Sequence, residues 1–81
     1  MVNKSIDFPQ YRKLSNGMRF YKIISSDSFE ELQLVGEIVY HFTIKAEQYP
    51  EKLRIMDMLN LTEGYLLATE PEWAKLISRL A

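Results

Sequence analysis

Residues 11–24, YRKLSNGMRFYKII, carry the strongest hairpin signal in the chain. In this stretch, Asn16 and Gly17 separate two runs that are rich in aromatic and apolar residues. An Asn-Gly pair in this setting favours a β-hairpin with a type I′ turn, because that turn needs positive φ at both central residues. The expected cross-strand pairs are Leu14 with Arg19, Lys13 with Phe20, Arg12 with Tyr21, and Tyr11 with Lys22. The stretch therefore predicts an antiparallel sheet.

The two segments that follow predict a helix and then a strand. Residues 25–36, SSDSFEELQLVG, offer Asp27 or Ser28 as a helix cap, acidic residues in the first turn and Gly36 as a stop. Residues 37–46, EIVYHFTIKA, alternate apolar and polar side chains, which is typical of a strand with one buried face.

The last third of the chain predicts a helix, a short strand and another helix. A proline at position 50 suits the first turn of a helix that ends near residue 60. The short apolar run GYLLA begins at Gly64 and predicts a strand. In the final segment Thr69 can cap a helix, and Glu72 can complete a capping box.

The element order is therefore expected to be ββαβαβα. This order predicts an α+β fold in which a mainly antiparallel sheet of three to four strands has both helices packed on one face. We expect a single domain over residues 9–81, preceded by a frayed N-terminus at residues 1–8.

The composition bounds the function. The 81 residues include no cysteine, which excludes disulfides and thiolate metal sites. The first residues contain no apolar run of the signal-peptide kind, and no run of 18 apolar residues occurs. We therefore expect a cytoplasmic protein without a membrane span. Residues 1–22 carry five basic groups and one acidic group, and residues 23–81 carry five basic and ten acidic groups. This asymmetry favours an anionic partner or attraction between copies.

The single histidine, His41, is the first candidate for chemistry. Strand alternation puts it on the polar side with Glu37, which is about 13 Å away along the strand and too far to orient the imidazole. With no second histidine and no cysteine, a metal site would need scattered carboxylates. We expect His41 to be a surface residue, the protein to have no catalytic or metal-binding residue, and no cofactor to be required.

Basic residues in the hairpin are the second candidate. Cross-strand neighbours there pair cations with aromatic or apolar residues, a combination that suits single-stranded nucleic acid but also stabilises a sheet. An isoelectric point near 5.8 argues against nucleic acid. The residues of this weak anion-contact hypothesis are Arg12, Lys13, Arg19 and Lys22.

The helix PEKLRIMDMLN and the preceding strand give the leading hypothesis. Apolar residues cover roughly 220° of that helix, about twice what one core contact requires. A strand face of large apolar residues would aggregate if it were open, unless a second copy covered it. The candidate protein interface is Ile38, Tyr40, Phe42, Ile55 and Met58. We expect a non-enzymatic protein-interaction or assembly module that forms a homodimer or binds another protein; anion or single-stranded nucleic-acid binding through residues 11–22 is the alternative, and a small enzyme using His41 comes last.

Overall fold

The computed structural model describes residues 7–62 and 64–80, which form one five-stranded antiparallel sheet and two helices. The strands lie side by side in the order β4-β3-β2-β1-β5. The elements are β1 (Gln10–Leu14), β2 (Arg19–Ser25), β3 (Ser28–Val35), β4 (Ile38–Lys45), α1 (Tyr49–Leu59), β5 (Tyr65–Leu67) and α2 (Glu70–Ile77). The α+β class is confirmed, whereas the order is ββββαβα and the sheet has five strands.

The first hairpin has the predicted register at Tyr11, Arg12 and Lys13, whereas the predicted pair of Leu14 with Arg19 is not among its strand pairs. Lys13 pairs with Phe20, Arg12 with Tyr21 and Tyr11 with Lys22. The turn differs from the expected type I′ turn. Of its two central residues, Asn16 and Gly17, only Gly17 has a positive φ, at 74°. On the other side of β1, the amide of Ser15 donates to the carbonyl of Gly64 at 2.9 Å, which continues the pairing of β1 with β5.

Strand β3 replaces the helix that we expected over residues 25–36. Phe29 and Leu32, three residues apart, are both fully buried but belong to different core clusters. In a helix they would share a face, whereas in a strand they point to opposite faces of the sheet. The expected cap residues form the β2–β3 turn instead, where the Ser25 hydroxyl donates to the Asp27 carboxylate at 2.7 Å. Pairing with β2 and β4 on both sides outweighs the local helix signals.

Strand β4 continues from β3 through a tight turn at Gly36 and Glu37. Gly36 has a φ of 62°, a conformation that glycine adopts without steric cost. All of β4 pairs with β3, from Ile38 opposite Val35 to Lys45 opposite Ser28.

The helices pack on opposite faces of the sheet, which corrects the expectation that both share one face. Helix α1 places Ile55 and Met58 against Tyr21, Ile23 and Phe29, on what we call the α1 face. Helix α2 packs on the other side, the α2 face, through the buried residues Trp73, Leu76, Leu32 and Val39. Both faces of the central strands carry apolar side chains, so each face needs its own cover.

The N-terminal segment is only partly described. Residues 1–6 of the segment expected to fray lie outside the described residues. Phe8 packs against the core cluster on the α1 face. In the described ranges, neither helix has the length and apolar character needed to cross a membrane.

The start of α2 and the end of α1 are capped by two different hydrogen-bond arrangements. At the start of α2, Thr69 and Glu72 form the capping box that the sequence predicts. At the end of α1, Leu61 has a φ of 58°, its amide donates to the carbonyl of Met58, and the amide of Thr62 donates to the carbonyl of Asp57. This is the Schellman arrangement, in which glycine is the usual residue with positive φ.

We expect the substitution Leu61→Gly to stabilise the protein. A non-glycine residue in this conformation costs about 1–2 kcal/mol, and glycine loses part of that gain through greater freedom in the unfolded chain. The free energy of unfolding, measured by urea denaturation, should rise by about 0.5–1 kcal/mol. Thr62→Gly, one residue later, should instead destabilise the protein; equal effects of the two substitutions would contradict the assignment of Leu61.

Candidate functional site

An uncovered apolar area lies beside the open sheet edge at strand β4. Four apolar side chains on the α1 face lie beyond the reach of helix α1, and roughly half of each is exposed. Their exposed fractions are 55% for Val35, 57% for Ile38, 46% for Tyr40 and 43% for Phe42. Ile44, further along β4, is partly buried against the α1-face core. We call Val35, Ile38, Tyr40, Phe42 and the outer edge of β4 the β4 surface.

The backbone of β4 also has unused hydrogen-bonding capacity. The Leu34 amide donates to the carbonyl of Met18, which shows that even-numbered residues of β3 direct their backbone groups toward β2. Alternate residues point to opposite sides, so odd-numbered β3 residues bond to even-numbered β4 residues. The odd-numbered residues of β4 therefore direct their N–H and C=O groups outward, where the described sheet has no further strand.

A buried ionic group borders the β4 surface. Glu31, opposite Phe42, is only 4% exposed and lies 3.7 Å from a guanidinium nitrogen of Arg19 and 3.6 Å from one of Arg54. The side-chain amide of Gln33 donates a hydrogen bond to the same carboxylate at 2.9 Å. Burial, together with the Glu31 carboxylate, raises the pKa of Tyr21. The contact with Glu31 holds Arg54 over the Phe29 ring, at the boundary between the covered and uncovered parts of the α1 face.

His41 lies on the α2 face and has a partner that sequence reasoning missed. Its Nε2 atom is 2.8 Å from a carboxylate oxygen of Glu30 on β3, and its ring meets Trp73 edge-on at 6.5 Å between centroids. The sequence predicted a helix in place of β3, and this hid the partner. Glu30 and His41 are diagonal neighbours on adjacent strands only if β3 is a strand. The described residues contain no group of three or more His, Asp or Glu side chains suited to a metal ion.

The four basic residues of the anion-contact hypothesis do not form one surface. Arg12 is buried on the α1 face, where its Nε donates to the carbonyl of Met58 at 2.8 Å and burial lowers its pKa. Lys13, on the α2 face, donates to Glu72 at 2.8 Å, and this bond, with the Thr69 amide bond, lowers the pKa of Glu72. Arg19 and Lys22 likewise lie on opposite faces. The sequence pattern that suggested a basic platform is divided between two sides of the sheet.

Two residues of the candidate interface are core residues. Ile55 and Met58 are 1% and 0% exposed and pack under the sheet, which corrects the expectation that they face a partner. The surplus apolar surface of α1 belongs to other residues, namely Tyr49, Leu53 and Met56, which are 72%, 40% and 54% exposed. Ile38, Tyr40 and Phe42 remain available on β4.

Comparison of the chain with models of protein families, with curated proteins and with solved structures finds no match in any of the three.

Proposed function

We propose that the protein is an interaction module that binds another polypeptide at the β4 surface. The observation that carries the proposal is the coincidence of two unused features on one strand. Backbone donors and acceptors point outward from the odd-numbered residues, and large apolar side chains stand uncovered on the even-numbered ones. Strand addition uses both, since main-chain hydrogen bonds provide affinity and alternate side chains provide specificity.

The chemistry of the uncovered residues supports a protein partner. Tyr40 and Phe42 are rigid aromatic side chains, which protein interfaces favour because they bury much area at low entropic cost. A strand that ends a sheet with no proline and no charged residue on its apolar face lacks the usual protection against edge-to-edge contact. A partner that covers this edge would supply that protection.

Site-specific photocrosslinking tests the proposal in cells that produce the protein. The photoreactive residue p-benzoylphenylalanine replaces Tyr40 in one variant and Tyr49, an exposed tyrosine on α1, in the control. We expect discrete crosslinked polypeptides from position 40 and none from position 49. Adding Phe42→Lys to the first variant should lower the yield at least about tenfold, as a loss of 1.4 kcal/mol in affinity would.

Two results would overturn the proposal. One is equal crosslinking from positions 40 and 49, which means random collision. The other is crosslinking from position 40 that persists unchanged with Phe42→Lys, which means that the captured polypeptide does not use this surface.

A further inference from the structure

We infer that the polypeptide bound at the β4 surface is the β4 strand of a second copy, paired antiparallel about a twofold axis at His41. The inference rests on the proposed function and names its partner. The two five-stranded sheets would join edge to edge into one continuous sheet. The observations behind it are the direction of the free backbone groups and the order of the side chains in residues 37–45.

The backbone restricts which residues can pair. Only odd-numbered residues of β4 direct N–H and C=O groups outward, so a hydrogen-bonded pair across the interface must join two odd-numbered residues. With the axis at His41, each His41 exchanges both backbone hydrogen bonds with its counterpart. Val39 does the same with Thr43 of the second copy. The register therefore uses the outward groups of the strand.

Charge complementarity selects this register among its neighbours. Residues 37–45, EIVYHFTIK, carry an acidic residue at one end and a basic residue at the other. An axis at His41 places Glu37, the turn residue that precedes β4, next to Lys45 of the second copy at both ends of the interface. An axis at Tyr40 instead places Glu37 opposite Thr43, and an axis at Phe42 places Lys45 opposite Val39. Opposite charges directly across a strand pair stabilise the pairing, so the His41 register is preferred.

The apolar side chains match in the same register. Tyr40 lies opposite Phe42 of the second copy, and Ile38 lies opposite Ile44. Aromatic pairs and apolar pairs of this kind contribute about 0.2–1 kcal/mol each. The twofold axis repeats every pair, so the uncovered residues of both copies form one apolar strip across the junction. The symmetry also closes the assembly, because the strands left at its ends are copies of β5, which has three residues.

Single cysteines test the register, because the natural chain contains none. His41→Cys places two thiols opposite each other in a hydrogen-bonded pair with Cα atoms about 5.5 Å apart, within the range for a disulfide. Thr43→Cys is the matched control: it lies on the same face of the same strand, but its two copies would be offset by about 13 Å along the strands. Under mild oxidation with oxidised glutathione, we expect His41→Cys to form disulfide dimers at least tenfold faster than Thr43→Cys. A His41→Ser variant should remain dimeric by light scattering, which shows that the imidazole is not required.

The remaining outcomes decide separate questions. Faster crosslinking of Tyr40→Cys or Phe42→Cys than of His41→Cys overturns the register, while pairing between copies stands. Wild-type protein that is monomeric by light scattering at millimolar concentration, with no variant above the Thr43→Cys rate, overturns the second copy as partner. In that case the photocrosslinking result alone tests the proposed function. Capture of a different polypeptide at position 40 would support it, and no capture would overturn it.

Discussion

Ile55→Glu is expected to unfold the protein. Ile55 is 1% exposed and belongs to the core cluster that includes Tyr21, Ile23 and Phe29. The substitution would bury a carboxylate among apolar side chains, and burying an unpaired charge is among the most destabilising changes known. A loss above about 4 kcal/mol would consume most of the stability of a domain of this size. Far-ultraviolet circular dichroism with urea titration measures it.

Met56→Glu is the matched control for this prediction. Met56 is the next residue of α1 and is 54% exposed, so the same charge should change the free energy of unfolding by less than about 0.5 kcal/mol. The contrast also separates core from interface. A folded Ile55→Glu protein with lower native mass would show that α1 turns this side toward a partner, contrary to the packing described above.

Arg12→Met is expected to lower the free energy of unfolding by about 1.5–3 kcal/mol, the range for hydrogen bonds to charged groups. Arg12 reaches from β1 to the C-terminal end of α1, where its Nε donates to the carbonyl of Met58. Its other nitrogens donate to the carbonyl of Tyr11 and to the side chain of Gln10. A cation near the C-terminal end of a helix also interacts favourably with the helix dipole. Methionine preserves much of the volume but none of these bonds.

Arg19→Met provides the comparison for Arg12. Arg19 starts from the same face, but its side chain is 48% exposed, and its contact with Glu31 is 3.7 Å long. Glu31 is buried, but it keeps Arg54 and the Gln33 amide as partners when Arg19 is replaced, so we expect a loss of only about 0–1 kcal/mol. Urea denaturation gives both free energies, and amide exchange of Leu61 and Thr62 should accelerate only in Arg12→Met. Equal losses in the two variants would show that Arg12 does not fasten α1 to the sheet.

Three elements of the fold follow from short-range signals in the sequence. The register of the first hairpin, the strand at residues 37–46 and the capping box of α2 depend on neighbours a few residues apart. Their signals are an Asn-Gly turn, an alternation of period two, and the pair Thr69 and Glu72. Such interactions join residues that are close together in the chain, so the sequence alone determined these elements.

The sequence alone named Ile38, Tyr40 and Phe42, but the position of their strand at the edge of the sheet required the tertiary structure. Residues 28–35 carry helix-like local signals, and they form a strand because β2 and β4 both pair with them. That choice places β4 at the edge of the sheet, gives His41 its Glu30 partner and allows the helices to cover opposite faces. In the helix 50–60, periodicity showed a surplus of apolar residues but not which side would be buried. Packing against Tyr21 and Phe29 decided that, because burial depends on contacts between residues that are far apart in the chain.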